Sequence, residues 1–270
     1  MKCYIIPPNS NLDLMHLGDS FFCLAQHYIK NEEYRNFFKA RVAEGKWVTL
    51  DNGAGDFALI TEDILFDCMK DLRPSEVIPP DVIFDKDTTL KNLEQFIGRM
   101  AEEDLLSDIE IFACPQGATK EDWIECYKSM LENPYVATLG FSKIAVPFAF
   151  LGKKNDEGIA EARNMAYDYL VENNLLTKPI HCLGMGSPEE FSHYTSPLMR
   201  SSDSCNTVWS AMNDIKFKEG NFTRIKTPHD YFERTVTDAQ IAVAKDNVEF
   251  LRSQFPAEVP EPTEAPEREG

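Results

Sequence analysis

The residues of this chain best suited to chemistry are aspartates that follow short apolar runs. Asp51 opens Leu50-Asp51-Asn52-Gly53-Ala54-Gly55-Asp56, Asp81 follows Pro79-Pro80, and Asp203 lies in Arg200-Ser201-Ser202-Asp203-Ser204-Cys205-Asn206. A pair of carboxylates can divide nucleophile and acid–base roles, which is what glycosyl transfer requires. Each aspartate also has a plainer reading. Asp51 could close an Asx-type turn, Asp81 could be an ordinary turn residue, and Asp203 could cap a following helix. The glycines and alanine after Asp51 would let backbone approach a ligand closely. Gly184-Met185-Gly186-Ser187-Pro188-Glu189-Glu190 is a glycine turn feeding a helix, with Ser187 as cap, Pro188 at the first helical position and Glu190 as the reciprocal cap. The same turn could turn backbone N–H groups toward a phosphate or a base.

Other chemistries find little support. His16, His27, His181, His193 and His229 are dispersed, without the spacing of metal ligands or of a base beside a nucleophile. There is neither a GxSxG nor a P-loop motif. The seven cysteines (Cys3, Cys23, Cys68, Cys114, Cys126, Cys182, Cys205) form no CxxC or CxC pair, so free buried thiols are expected rather than disulfides or zinc. Neither cofactor nor metal is expected. A net charge of −18 argues against nucleic-acid binding over the whole surface, though a local basic patch is compatible with it. Lys216, Lys218, Arg224, Lys226 and His229, with Phe217, Phe222 and Tyr231 between them, make such a stretch directly after the Asp203 segment. It reads equally as a solvated loop or as a phosphate-contacting strip.

These residues need elements to hold them. Apolar runs at Cys3–Ile6, Phe21–Ala25, Trp47–Leu50, Glu76–Ile78, Ile109–Cys114, Thr138–Phe141, Pro179–Leu183 and Leu198–Ser201 alternate with helical patterns. The helices are expected at Glu32–Ala43, Thr61–Leu72, Thr88–Met100, Lys120–Leu131, Ile159–Glu172, Pro188–Tyr194 and Asp238–Gln254. Alternation of this kind implies parallel strands joined by crossovers. Eight runs fit a closed (β/α)8 barrel, a TIM barrel of the α/β class, better than an open doubly wound sheet, whose first turn would be glycine-rich. One domain spanning 1–255 is expected. The segment 256–270, rich in proline and glutamate, is expected to be a disordered acidic tail. No apolar stretch approaches the roughly 20 residues of a membrane span, and the first residues are too short an apolar run for a signal peptide, so a cytoplasmic setting is expected.

In such a barrel the residues at the carboxyl ends of the strands line the active site. Here they are Asn9, Gln26 and His27, Asp51 and Asn52, Asp81, Gln116 and Gly117, Ser142 and Lys143, Gly184 and Gly186, and Ser202 and Asp203.

Read together, these segments resemble the tRNA-guanine transglycosylases. Asp51-Asn52-Gly53-Ala54 is similar to their Asp-Ser-Gly-Gly segment, and Cys114-Pro115-Gln116-Gly117 to their Gln-Gly segment. His181-Cys182-Leu183-Gly184-Met185-Gly186-Ser187-Pro188-Glu189-Glu190 resembles their Leu-Met-Gly-Val-Gly-Thr-Pro-Glu-Asp run, the most specific of the matches. They spread over about residues 1–235, and the whole looks closest to the short DpdA-type relatives of bacterial viruses, which place 7-deazaguanine bases in DNA. The resemblance implies a virus-encoded barrel enzyme that exchanges guanine for a 7-deazaguanine such as 7-cyano-7-deazaguanine. By match, Asp203 would attack C1′ and form a covalent glycosyl-enzyme. Asp51 would be the general base for the incoming base. Asp81 and Gln116 would bind the base edge, with backbone of Gly140 to Ser142 and of the Gly184–Gly186 turn assisting. The target nucleotide must leave its stack to reach the barrel mouth.

Two departures bear on this. No cysteine follows Cys205, so the zinc-binding subdomain of the tRNA enzymes is missing, which favours DNA over tRNA. The match around Pro79-Pro80 slips by one residue, so Asp85 competes with Asp81. Three alternatives stay open: a tRNA-guanine enzyme, a non-catalytic nucleic-acid-binding subunit of such an enzyme, and an unrelated barrel glycosidase. The acidity of the chain also leaves room for a protein partner that supplies phosphate contacts.

Overall fold

The computed structural model describes residues 1–54, 60–153, 158–220, 222 and 224–255. The proposed tail 256–270, and Gly55 and Asp56 of the loop after Asp51, lie outside the described residues.

Eight parallel strands form a nearly closed barrel with helices between them, the single-domain (β/α)8 architecture expected from the alternation. The strands are β1 (Lys2–Ile5), β2 (Phe21–Leu24), β3 (Val48–Asp51), β4 (Glu76–Val77), β5 (Glu110–Ala113), β6 (Val136–Ser142), β7 (Ile180–Leu183) and β8 (Met199–Ser204). Their order around the sheet is β1-β8-β7-β6-β5-β4-β3-β2. Between β1 and β2 one bridge, Tyr4 to Ser20, marks the seam. Each expected run overlaps one strand. Two differ usefully: β3 includes Asp51, and β8 runs through Asp203 to Ser204. Asp203 is therefore a strand residue and caps no helix.

The long helices fall where apolar periodicity places them: α2 (Glu32–Ala43), α3 (Glu62–Leu72), α4 (Lys86–Glu102), α5 (Lys120–Glu132), α7 (Ile159–Glu172) and α9 (Asp238–Ser253). Asn31, Thr61, Asp85, Thr119 and Thr237 cap five of these through side-chain oxygens. The segment expected as a helix at Pro188–Tyr194 is a 3-10 turn, Pro188–His193. Its Ser187 accepts from the Glu189 amide as expected, whereas Glu190 turns inward to Gly186 and Arg163 and does not cap in return. Short elements too small to show a period also appear: α1 (Ala25–Tyr28), α6 (Ala145–Leu151), α8 (Asn206–Met212), and 3-10 turns at Asn9–Leu17 and Tyr231–Glu233. No helix among the described residues is long and apolar enough to cross a membrane. The seven cysteines are free, and all but Cys205 are buried.

Side chains from alternate strand positions fill the barrel. Its floor is polar. Arg200 donates through two nitrogens to the Glu76 carboxylate, at 2.9 and 2.7 Å, and also to Thr138, while Thr49 donates to Glu76 at 2.6 Å. Above it Tyr4, Phe22 and Phe112 surround the ring of His181 with centroids 5.2–5.7 Å away. A larger apolar cluster, including Phe66, Phe96, Trp123 and Tyr127, fills the layer between barrel and helices.

Burial pushes the Glu76 carboxyl up, but the Arg200 guanidinium and the Thr49 hydroxyl outweigh it and hold it below the usual carboxylate range. Arg200→Met would strand that buried charge and should cost about 3–5 kcal/mol at neutral pH, read by thermal unfolding. A group depressed in the folded state stabilises above its unfolded pKa of about 4.3 and loses that contribution as pH falls through the folded value, so the difference between the two proteins should shrink on acidification. An equal difference at all pH values would contradict this.

Candidate active site

Asp203 faces the barrel interior because the β7–β8 ladder slips. Ile180 pairs with Met199 but His181 with Ser201, so β8 carries one extra residue at this step. Arg200 points inward to Glu76, and under strict alternation Asp203 would point out. The bulge resets the phase and turns Ser201 and Asp203 toward His181.

Asp203 is nearly buried, with its side chain 11 % exposed. Its Oδ1 accepts from the Gly184 backbone N–H at 2.8 Å and from His181 Nε2 at 3.0 Å. Its Oδ2 has no hydrogen-bond partner among the described residues. Burial pushes this carboxyl up, but His181, the Gly184 N–H and the nearby Lys143 cation prevail and keep it ionised below the usual range. Burial in turn holds His181 below its ordinary value against the pull of Asp203, so the imidazole is neutral.

Gly184 earns its place by conformation, with φ at +70°. The turn it begins is braced from behind. The fully buried Arg163 donates to the Gly184 carbonyl at 2.6 Å and to the Leu183 carbonyl, and pairs with the buried Glu190, which accepts from the Gly186 N–H at 3.2 Å. The N–H of Gly186 is thus spent within the turn, whereas that of Gly184 serves Asp203. The sequence expectation of two donors offered to a ligand is replaced by one donor offered to the carboxylate.

Across the mouth, Asn52, Asp81 and Gln116 form one hydrogen-bonded cluster, with Asp51 preceding Asn52 at the end of β3. Asp51 does close an Asx turn, accepting from the Gly53 N–H at 3.1 Å. The Asp81 carboxylate is clamped between two amides, Asn52 Nδ2 at 2.7 Å on Oδ1 and Gln116 Nε2 at 2.5 Å on Oδ2. Burial raises the Asp81 carboxyl, and these two donors offset only part of the effect. Asp85, the rival position, caps α4 by accepting from the Thr88 N–H at 3.0 Å. Asp81 is therefore the residue that meets Gln116. Burial pushes up the thiol of Cys114, just past the end of β5, and Asp81, Asp51 and Asp203 each add to the effect. The three carboxylates thus stand at the same end of the barrel, at or just past the carboxyl ends of β3, β4 and β8. Gly140 lets Cys114 and Phe112 pack directly against the β6 backbone, since a Cβ there would lie 2.7 Å from Cys114 Sγ and 2.9 Å from the Phe112 ring.

Ser142 is committed to local structure, its hydroxyl accepting from the Ile144 and Ala145 N–H groups. The basic stretch is less uniform than its sequence suggests. Lys216 pairs with Asp246 on α9 at 2.6 Å. Lys218 and Lys226 are exposed, and the Lys226 carbonyl is held by Trp209. Arg224 acts on Glu190 and Cys205, near the Asp203 side of the mouth. The interleaved aromatics belong to the interior: Phe217 packs edge-on against Phe222, and the buried Tyr231 donates to the Ile6 carbonyl. They offer no stacking face.

Two residues at the mouth carried no sequence signal of a role. His181 was one histidine among five, and although it opens the segment that leads into the Gly184 turn, its spacing marked it neither as a metal ligand nor as a base. Phe84 adopts a positive φ of 68°, a conformation that costs a bulky residue of order 1–3 kcal/mol. Its N–H donates to Gln116 Oε1 at 3.2 Å and its ring lies 4.1 Å from that of Phe148 on α6.

Comparison of the chain with protein-family models and with curated proteins finds no match.

Carboxyl-carbon NMR titration should place Asp203 below, and Asp81 above, the ordinary aspartate value of about 3.9. By linkage, ionised Asp203 supports folding above its unfolded pKa and loses this as pH falls through its folded value. Asp81 does the reverse, opposing folding as pH rises past its unfolded pKa. Coincident midpoints would contradict this division.

Proposed function

We propose that this chain is a base-exchange transglycosylase that replaces guanine in DNA by a 7-deazaguanine derivative. The observation that carries the reading is the Asp203 carboxylate: ionised, nearly buried, held by one oxygen, and facing a mouth shared with Asp51 and Asp81. The fold by itself supports no particular activity. A desolvated carboxylate with one unpaired oxygen is suited to attack an electrophilic sugar carbon.

In the first step Asp203 Oδ2 forms a bond to C1′ of the target deoxyguanosine as the glycosidic C–N bond breaks. Guanine departs with that electron pair and takes up a proton. In the second step the incoming deazaguanine gives a proton to Asp51 and its nitrogen takes C1′ from Asp203, restoring the carboxylate. Proton uptake and release cancel over the exchange.

Asp81 suits recognition of guanine. Each of its oxygens accepts one amide, and a carboxylate oxygen can take a further hydrogen bond, so two remain for the N–H groups on the edge of the base. Phe84 and Phe148 provide an aromatic surface beside that edge. Lys143, Arg224 and the exposed Lys218 and Lys226 would meet phosphates, and with Lys216 already neutralised the remaining contacts would come from a partner protein. The same neutralisation favours, as a second reading, a barrel glycosidase acting on a small substrate.

The test is a base-exchange assay with labelled guanine or 7-cyano-7-deazaguanine and either duplex DNA or tRNA. Label should enter DNA, should not enter with Asp203→Asn, and should enter about 10²–10⁴-fold more slowly with Asp51→Asn. Incorporation into tRNA alone would move the substrate to RNA. Base release without incorporation would establish the hydrolytic reading. No reaction in the presence of cell extract would leave a non-catalytic subunit.

A further inference from the structure

A chain of hydrogen bonds inside the barrel ends on Asp203, and its direction is set at the other end. Arg200 can only donate, and its Nε lies 3.2 Å from Ser201 Oγ. Ser201 is thereby an acceptor toward Arg200, and it has a single hydroxyl proton to give. Nδ1 of His181 stands 2.7 Å from that hydroxyl. The Asp203 carboxylate, an acceptor, stands at 3.0 Å from the opposite ring nitrogen. With the ring neutral, one arrangement satisfies both of its nitrogens: Arg200 donates to Ser201, Ser201 donates to Nδ1, and Nε2–H donates to Asp203, while the Tyr4 hydroxyl donates to a remaining lone pair of Ser201. The guanidinium is itself fixed by two hydrogen bonds to the buried Glu76. Tyr4, Phe22 and Phe112 pack around the imidazole at centroid distances of 5.2–5.7 Å.

We propose that His181, locked by Ser201 as the Nε2–H tautomer, is a positioning residue that holds Asp203 by Oδ1 and so presents Oδ2 as the attacking atom. The inference rests on the reading of Asp203 as nucleophile and deepens it. When Oδ2 bonds to C1′, Oδ1 becomes the carbonyl oxygen of the aspartyl ester, and the His181 and Gly184 N–H groups still point at it. When the second step breaks the C1′–Oδ2 bond, negative charge returns to the carboxylate against donors already in place. A protonated imidazole would place a full positive charge there and a flipped tautomer would place a lone pair against the carboxylate; the neutral Nε2–H form avoids both. The charged groups around the ring are Asp203 above it and Arg200 with Glu76 below, and the Tyr4 hydroxyl also faces Ser201.

The decisive measurement is nitrogen NMR of the His181 ring in the whole protein, together with kinetics of three variants. The expected spectrum at neutral pH shows a protonated Nε2 and an unprotonated Nδ1, with any protonation of the ring displaced to below the ordinary histidine range. In the base-exchange assay His181→Leu should lower kcat about a hundredfold with KM for the nucleic acid unchanged. His181→Gln, whose amide nitrogen can reach the position of Nε2, should restore most of the loss. Ser201→Ala should lower kcat and produce a mixture of ring tautomers. In His181→Leu the Asp203 carboxyl should also titrate higher than in the parent protein. An Nδ1–H tautomer, an imidazolium at neutral pH, or an unaltered Asp203 titration would overturn the proposal. So would equal kcat values for the leucine and glutamine variants. The NMR readings need no turnover, so they decide the matter even where no base exchange is found, and they separate failure of this inference from failure of the proposed activity.

Discussion

An aspartate kept ionised in a nearly dry place must be compensated by its surroundings, and much of the upper barrel is arranged around this requirement. Asp203 receives one backbone donor and one ring donor on a single oxygen. The backbone donor exists because Gly184 takes a positive φ, and that turn stays put because Arg163 and Glu190 are buried behind it. Removing water strengthens each of these interactions and makes each unpaired group costly, so the parts are mutually dependent.

The barrel interior combines two kinds of filling. Its middle is aromatic and tightly packed, whereas its floor holds a bidentate Arg200–Glu76 pair joined by Thr49 and Thr138. Such a pair adds little net stability over a hydrophobic equivalent, because desolvation offsets most of its attraction. It does supply direction. A guanidinium that can only donate orients the Ser201 hydroxyl, and polarity is transmitted upward to the carboxylate at the mouth.

The two sides of the mouth carry opposite electrostatic settings. Asp203 is surrounded by donors and held ionised, while burial raises Asp81 between two amides. Environments that push the pKa values of neighbouring acids apart are a common basis for dividing roles between like groups. Under the proposed activity, the division would suit one carboxylate to covalent work and the other to reading N–H groups. Phe84, in a backbone conformation unfavourable to an aromatic residue, shows that strain has been accepted on the Asp81 side of the mouth.

Much of this architecture was legible in the sequence. Eight apolar runs separated by amphipathic stretches allow few topologies, since parallel strands need crossovers and crossovers are right-handed, so the barrel follows from local patterns. The strand ends followed too, and with them Asp51, Asp81, Gln116, Gly184 and Asp203. Short helices such as α6 and α8 escaped because two turns show no period. The pairing of Glu190 with Arg163 displaced the expected capping box, a long-range charge outcompeting a local hydrogen bond. Similarly, the spacing of Lys216, Phe217 and Phe222 suggested a binding strip, but α9 took the charge and the core took the rings. What the sequence determined was which residues reach the carboxyl end of the barrel. Which way they face was decided only in the folded protein. A one-residue slip between β7 and β8 inverts the alternation, and that slip arises from pairing with a neighbouring strand, which no local pattern in β8 encodes.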